Sequence, residues 1–555
     1  MPRIQLDRFG GCNYADPPAE LVSRAYRVTE AGFVPTSPVE TPDTRNMDFV
    51  KGWIGKRKGS AAWLDLTSVL VASETLIDGH SWIVPGGTQE NILIVGVKSI
   101  YVKEGSGAFA QINDSASAAY THDADVAKAR FLEIDNHLLI GIDGANKIQV
   151  YKTGADLDAE LDNGNTWEDT FGGGTSTVTG TWGTGYYNIE NLHGRLCFGD
   201  GGATCQFTDI GQPWDLLGGG HKIAKDNIVA MRTWVRKGGS DLTPVLALFT
   251  ESGLEFLPGF MLQDQPHPIN AGKPPASYRA VVEMDDWMVW MTREGGFQAT
   301  NLLQVIDVGR RLKKDDGTSG PMDTFDPTNT NLANKIFGVR RKRQAIFFYP
   351  DASRTTNSHA IMMDFTLGEP VVNEPLESYE RRVRHLVWSI KDPGSNPWFV
   401  GGFERHGETT CIMAVGTTFN IHSGVNDLDI IPVQSYWDTP DFDGGALDNE
   451  KEWARVSARF LPQGDWDVHV DTYMDGDGAV TGQGWDWSQL RDGAAVYDTA
   501  VYDTDVYVAD GSVVRAQYAD LWGHSIRLRL IQNGTSQDWI LRDMEIAYEI
   551  GAEQA

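Results

Sequence analysis

Cysteine is scarce in this chain, helical patterning is nearly absent, and positive charge falls well short of negative. Four cysteines, Cys12, Cys197, Cys205 and Cys411, stand among 555 residues. Their spacings match neither a CxxC zinc pair nor a dense disulfide framework, so they read as reduced, structural thiols. Cys197 and Cys205 flank a Gly-Gly turn, which leaves a bridge between facing strands geometrically open. No run approaches the roughly 18 apolar residues of a membrane-spanning helix, and the opening MPRIQLDRFGGCNYADPP lacks the basic-then-apolar order of a secretory leader. Synthesis in the cytoplasm without membrane insertion is the expectation. With 47 Lys and Arg against 76 Asp and Glu, the net charge is −29. A surface of that sign repels polyanions and argues against a general binder of nucleic acid or acidic membranes.

The composition is otherwise that of a folded protein, 41% hydrophobic with 18 tryptophans. Short apolar runs separated by Gly, Asp, Asn and Pro recur throughout, the pattern of an all-β chain. Seven read as strand, tight turn, strand: they begin at Ile92, Leu138, Leu196, Leu246, Met288, Ala345 and Trp398. Asp143-Gly144, Asp200-Gly201, Ser252-Gly253 and Gly295-Gly296 supply the positive-φ residues that tight hairpins need. A hairpin alone cannot bury its face, so repetition at this spacing predicts a β-propeller of about seven to eight blades, the eighth around Trp63 to Trp82. A pair of stacked sandwiches shows similar strand spacing. The segment Asp162-Asn163-Gly164-Asn165-Thr166-Trp167 fits the D-x-G-x-T-W part of the Asp-box, a turn on the outer rim of many propellers, with Glu160 in place of the leading Ser.

Near residue 430 the texture changes. Residues 433–555 hold 23 acidic and 8 basic side chains, and WARVSARFLP, DWDVHVDTYM, SIRLRLIQN and DWILRDMEIAYEI alternate apolar with polar residues. Half-buried antiparallel strands of a β-sandwich or jelly roll follow. The predicted organisation is an extended N-terminal arm over 1–60, a propeller over 61–430 and an acidic sandwich over 431–555.

The common catalytic signatures, from the Walker A loop to the G-x-S-x-G elbow, H-E-x-x-H and the dinucleotide fingerprint, are missing. Asp471, Asp475 and Asp477 with Gly476 and Gly478 invite a calcium reading, which a solvated hairpin turn explains equally. The Asp-box invites a glycosidase reading, but it is a turn remote from any catalytic carboxylate pair. No catalytic group, cofactor or metal is assigned. Candidate contact residues come instead from basic knots on an acidic chain: Lys56-Arg57-Lys58, Arg310-Arg311 with Lys313-Lys314, Arg340-Arg341-Lys342-Arg343, and Arg381, Arg382 and Arg384. Such knots are either solvated turns or register-setting contacts with acidic surfaces of the same or a neighbouring subunit. Val-Tyr-Asp recurs five residues apart at Tyr497 and Tyr502, and Val506-Tyr507 continues the series, as a looped edge or an intersubunit or ligand contact.

The opening Phe9-Gly10-Gly11-Cys12-Asn13, then Asp16-Pro17-Pro18, Asn46-Met47-Asp48-Phe49 and GWIGKRKG from Gly52 to Gly59, resembles the start of phage tail hub and nozzle proteins. RLCFGDGGATCQFTDIGQPWDL from Arg195 resembles their recurring blade, and the chain from Trp437 through Lys451-Glu452-Trp453 to GHSIRLRLIQN is similar to the β-domain that follows the propeller there. The resemblance implies a non-enzymatic building block of a virion tail. Such a block repeats around the tail axis, often as a hexameric ring. It lies beneath the portal and adaptor, contacts distal tail proteins or fibres, and lets DNA pass without specific binding. It further implies that Phe9, Gly10, Gly11 and Asn13 of the arm, with Arg57, Arg310, Arg311, Arg340, Arg341, Arg343 and the three tyrosines, meet neighbouring subunits or fibres. Net acidity suits a conduit that must not hold DNA, and suits mere solubility equally. The alternatives are a receptor-binding or polysaccharide-depolymerising tail protein, suggested by the tryptophans and the Asp-box, and a cellular scaffold propeller.

Overall fold

The computed structural model describes the chain apart from residues 17–20, 23–24, 30–31, 37, 51–52, 85–86, 115, 135–136, 152–156, 158, 169–174, 237–242, 261–263, 270–271, 286, 303, 313–324, 326–334, 351–356, 367–382, 390–400, 406–408, 415–416, 425–432, 445–447, 462–466, 477–483, 489–512, 535–536 and 551–555. Among the described residues, seven four-stranded antiparallel sheets follow one another as propeller blades. Blade 1 comprises Leu76–Ile83, Glu90–Gly96, Ile100–Glu104 and Phe109–Gln111; blade 2, Ala129–Ile134, His137–Ile142, Gln149–Tyr151 and Ala159–Glu160. Blade 3 comprises Asn188–Leu192, Arg195–Gly199, Thr204–Phe207 and Gly220–Ile223; blade 4, Ile228–Arg236, Thr243–Thr250, Gly253–Leu257 and His267–Ile269. Blade 5 comprises Val281–Glu283, Met288–Met291, Phe297–Thr300 and Val305–Asp307; blade 6, Phe337–Arg341, Gln344–Pro350, Asn357–Asp364 and Arg384–Ser389. Blade 7 takes Gly401–Arg405, Thr409–Ala414 and Thr417–Gly424 and borrows its fourth strand, Gly59–Asp65, from before blade 1.

That borrowed strand closes the ring by hydrogen bonding and disposes of the expected eighth blade. Trp63 lies on the closing strand of blade 7 and Trp82 on the first strand of blade 1, so the segment between them links two blades. First strands of neighbouring blades touch around the ring, including blade 1 against blade 7, and Arg232 bridges blade 4 to Glu283 of blade 5. Second strands of blades 1 to 6 are buried on both faces between adjacent blades; His137–Ile142 and Gln344–Pro350 are buried at every residue. This is why they read as continuous apolar runs rather than alternating ones. The turn after His137–Ile142 needs Gly144 at φ 77°, where a Cβ is disfavoured. Cys197 and Cys205 sit on neighbouring strands of blade 3 as buried free thiols, as does Cys12 elsewhere.

Apart from the Thr166–Glu168/Thr175–Thr177 hairpin and the Phe9–Cys12/Val39–Thr41 pair, the remaining strands form a two-sheet sandwich built from both ends of the chain. One sheet runs in the order Tyr26–Thr29, Gly32–Pro35, Arg3–Leu6, Ile540–Ile550, Lys451–Leu461, Val513–Gly523, and the Met47–Val50 and Trp53–Lys56 hairpin joins it at Ile540. The other runs Trp485–Ser488, Asp467–Met474, Ile526–Gln532, Ser435–Asp438, Thr44–Arg45. Alternate residues of Lys451–Leu461 and Ile526–Gln532 turn inward, and Val456, Phe460, Val470, Leu528, Leu530 and Ile546 share one core with Trp437, Trp453 and Trp539. The N-terminal segment is no free arm. Arg3 pairs with Ala547 and Arg45 with Tyr436, because strands left single would expose unpaired backbone groups. The propeller is therefore an insertion within the sandwich.

Candidate functional site

The first strand of each of blades 1 to 6 carries a charged side chain toward the propeller axis. Arg130 of blade 2 is paired with Glu190 of blade 3, whose second oxygen accepts the N–H of Thr233 at 3.2 Å. Arg232 of blade 4 lies 4.0 Å from Glu190 and 3.7 Å from Glu283 of blade 5. Arg340 of blade 6 donates to Asp285 at 2.6 Å, and His80 of blade 1 meets Glu133 of blade 2 at 2.9 Å. Just before blade 5, Arg279 crosses to blade 1. It donates to the carbonyl of Ile77, approaches Asp78 to 4.0 Å and lies over the Phe337 ring. Tyr278 beside it accepts the N–H of Ala129 at 3.0 Å with its hydroxyl and receives Arg232 on its carbonyl at 2.6 Å. Blades 1 and 5 are not neighbours in a ring of seven, so these contacts span the axis and fill it.

Burial governs the ionisation here. It raises Asp78 and, together with Glu190, raises Glu283; it pulls Arg232 down to about 10, with Arg130 adding to the effect. Burial also works against charge on Arg130, where Glu190 and Glu283 outweigh it and leave its pKa raised. The axial charges are neutralised by opposite charges and by backbone carbonyls that accept from Arg232 and Arg279, although Arg279 Nη2 is left without a hydrogen-bond partner, and the cluster acts as a structural plug. Charge within the first strands, as in LIDGHSW, ARFLEI, NIENL and FGVRR, is the sequence signal for the ring, and hairpin reading passes over it because it starts at the second strand.

Most of the described contact candidates converge elsewhere, at a joint between blade 6 and the N-terminal strands. Phe9 is buried against Trp437, ring centroids 5.5 Å apart. Gly11 lies so close to the last strand of blade 6 that a Cβ would come 2.3 Å from the backbone nitrogen of His385, which only glycine permits; Gly10 is similarly tight against Val39 and Glu40. The Asn13 amide donates to Asp16 and Glu40, each at 2.8 Å, and Arg311 pairs with Glu40. Arg341 meets Asp48 at 3.2 Å; Arg384 donates to Asp364 at 3.2 Å and to the Phe9 carbonyl at 3.3 Å, and lies 3.5 Å over the Phe49 ring. Arg57 donates to Asn46 at 3.0 Å and covers Trp388, whose indole donates to the Met47 carbonyl at 2.7 Å. His385 contacts the Val308 carbonyl at 2.5 Å, and burial with nearby Arg311 pushes its pKa down to about 3.

Phe9, Asn13, Arg57 and Arg311, buried against partners in the same chain, are thus internal contacts and not a surface offered to a neighbour. Arg340 belongs to the axis, and Arg310 and Arg343 are exposed. Tyr497, Tyr502, Tyr507, Lys313, Lys314, Arg381 and Arg382 lie outside the described residues. The Asp-box turn follows the outer strand of blade 2, with Gly164 at φ 90° and Trp167 packed on His137 and Trp214, far in the fold from the axial charges. Asp475 accepts the N–H groups of His524 and Ser525 at 2.6 and 3.0 Å and caps a turn, and Asp471 pairs with His469; Asp477 is outside the described residues.

No family model and no curated protein matches the chain. Solved structures similar to it include a chain of the mitotic checkpoint complex (9% identity, 64% of this chain and 93% of that one, TM-score 0.36). Streptogramin B lyase is similar at 10% identity, over 66% and 92%, with a TM-score of 0.33. BBS1N in complex with ARL6DN is similar at 9% identity, over 67% and 99%, with a TM-score of 0.38. The propeller assignment rests on the chain's own seven sheets and their ring closure.

Proposed function

We propose that the chain is a non-enzymatic structural protein of a bacteriophage tail, a hub or nozzle component arranged as a hexameric ring beneath the portal and adaptor. Distal tail proteins or fibres dock on it, and it forms part of the wall past which DNA is ejected. The observation that supports this reading is the joint: two β units inserted one within the other and tied together by Arg341 to Asp48, Arg311 to Glu40 and Arg384 to the Phe9 carbonyl. A block of this kind transmits load and orientation. Its propeller axis is filled by ion pairs, so a DNA path lies between copies and not through one propeller.

Labelled electron microscopy of purified particles tests the reading, with an antibody raised against this chain. Label on a ring near the portal or along the tail axis is the expected result. Label at fibre tips alone points to adhesion or depolymerisation, and particles without label end the tail reading.

A further inference from the structure

The Trp485–Ser488 strand ends the second sheet of the sandwich and, among the described residues, is hydrogen-bonded to one neighbour only, Asp467–Met474. Four residues make a short ladder, so the side chains decide how firmly this edge is held. Trp487 turns inward, 3% exposed, with its ring centroid 5.9 Å from that of Phe460. The buried indole nitrogens of Trp485 and Trp487 have no hydrogen-bond partner, so neither ring adds a polar anchor. Asp486 turns outward, and the register sets it directly beside His469. His469 Nδ1 lies 2.7 Å from Asp486 Oδ1, and its Nε2 lies 3.1 Å from Oδ1 of Asp471, two residues along its own strand.

A neutral imidazole carries one N–H and can donate to one carboxylate only. With a carboxylate oxygen at hydrogen-bond distance from each ring nitrogen, the arrangement is that of the doubly protonated ring. We propose that His469 is a pH-operated latch, which as an imidazolium holds Trp485–Ser488 on the sheet and loosens it when a proton passes from the ring to solvent. Loss from Nδ1 breaks the tie to Asp486; loss from Nε2 sets a lone pair against Asp471, so the ring must turn, and the surviving bond is no longer charge-assisted. The remaining neighbours do not take over. Asp467 flanks the ring on its own strand, Ile531 lies opposite it on Ile526–Gln532, and Gly484 approaches Nε2 from just before the edge strand. Arg529, opposite Asp471, is held by Asp438 at 2.6 and 2.7 Å. Partial burial works against charge on His469, but the hydrogen bond to Asp486 and the Asp471 carboxylate outweigh it and leave the pKa raised above 6.5. A raised folded value means that the stabilisation is complete below pH 6.5 and is lost as the pH rises through the folded value, the reverse of His385.

The latch is a property of the free chain and is independent of the tail reading, which particle labelling decides separately. Two measurements on the purified full-length chain test it by mass spectrometry: exchange of the histidine C2 hydrogen, which gives the pKa of His469, and amide exchange of a peptide spanning Trp485–Ser488. The expected pKa lies above 6.5 in the wild type and falls in Asp486→Asn. After correction for the intrinsic effect of pH, amide exchange of the edge strand is expected to quicken about threefold between about pH 6 and about pH 9. The effect is modest because the His469 and Asp486 side chains are 45% and 61% exposed. In His469→Gln the strand is expected to exchange at the faster rate at both ends of that range. A His469 pKa at or below 6.5 overturns the proposal, as does edge-strand exchange that ignores pH or that follows it equally in His469→Gln. An equal rise in the blade 2 peptide His137–Ile142 overturns it too, since the whole chain and not its edge would then be loosening.

Discussion

The propeller and the sandwich are made of similar strands and assembled in opposite ways. Each of the first six blades is four consecutive segments, and its hydrogen bonds close within a few tens of residues. The sandwich joins residues from the two ends of the chain, Arg3 to Ala547 and Gly55 to Ile540. The propeller also hides charge at its centre, whereas the sandwich centre is apolar and tryptophan-rich. Local closure makes the propeller a candidate for independent stability, while the sandwich depends on both termini being present.

Removal of residues 1–13 breaks this comparison most forcefully. It takes away Arg3–Leu6 and Phe9–Cys12, with Ile4, Leu6 and Phe9 each about 1% exposed, at about 2 kcal/mol for each buried side chain. The blades keep all their strands. Calorimetry with hydrogen exchange is expected to show the sandwich lost and blade protection retained. If blade and sandwich protection vanish together, the two units are energetically one. Next in size is Asp364→Ala at the joint, which leaves Arg384 buried without its carboxylate and is expected to cost about 3–5 kcal/mol in urea denaturation. Replacing both partners, Asp364→Leu with Arg384→Met, is expected to restore most of that loss. A double variant as unstable as the single one would mean that the Phe9 carbonyl and Phe49 ring contacts of Arg384 carry the interaction instead.

Legibility in the sequence followed the same divide. Second strands such as LLIGI and AIFFY announced themselves because burial on both faces demands unbroken apolar residues. First strands carry Asp78, Arg130, Glu190, Arg232 and Arg340, whose charges are tolerated only because the ring brings opposite signs together at the axis. No local window contains that pairing. The N-terminal segment read as an arm for a related reason: Arg3–Leu6 alternates correctly for a strand, yet its partner lies at the other end of the chain. Arg57, Arg311 and Arg341 were recognisable as contact residues by type and place, but whether the partner belongs to the same chain is a matter of tertiary proximity.

Acid sharpens the comparison at the joint. His385 has its folded pKa depressed to about 3 by burial and by Arg311, so the folded chain binds fewer protons than the unfolded chain below the ordinary histidine value. Its contribution is complete above about pH 6.5 and is lost as the pH falls toward 3, amounting to about 2 kcal/mol between pH 6.5 and 4.5. His122, on the propeller, is depressed to about 4, mainly by burial, and adds a loss of the same sign. His385→Gln is expected to flatten the acid limb of a stability-against-pH curve, with hydrogen exchange at the joint becoming less pH-dependent than in the wild type. An unchanged curve would place the acid sensitivity in the propeller, where His122→Gln would then remove it.

The smallest effect separates the axis from its mouth. Arg340 and Asp285 pair at 2.6 Å, but their side chains are 29% and 46% exposed, so water already screens them. Arg340→Ala is expected to cost below about 1 kcal/mol by denaturation. Glu190→Gln lies deeper, between the half-buried Arg130 and the buried Arg232, and removes a charge that both guanidinium groups face. Its cost is expected to be several times larger. The contrast has a physical origin: exposed ion pairs exchange one solvated state for another, whereas an axial arginine that loses its carboxylate has no water to replace it. If Arg340→Ala matches Glu190→Gln, the network is a single cooperative unit reaching to the surface, and the mouth of the propeller is as firmly built as its centre.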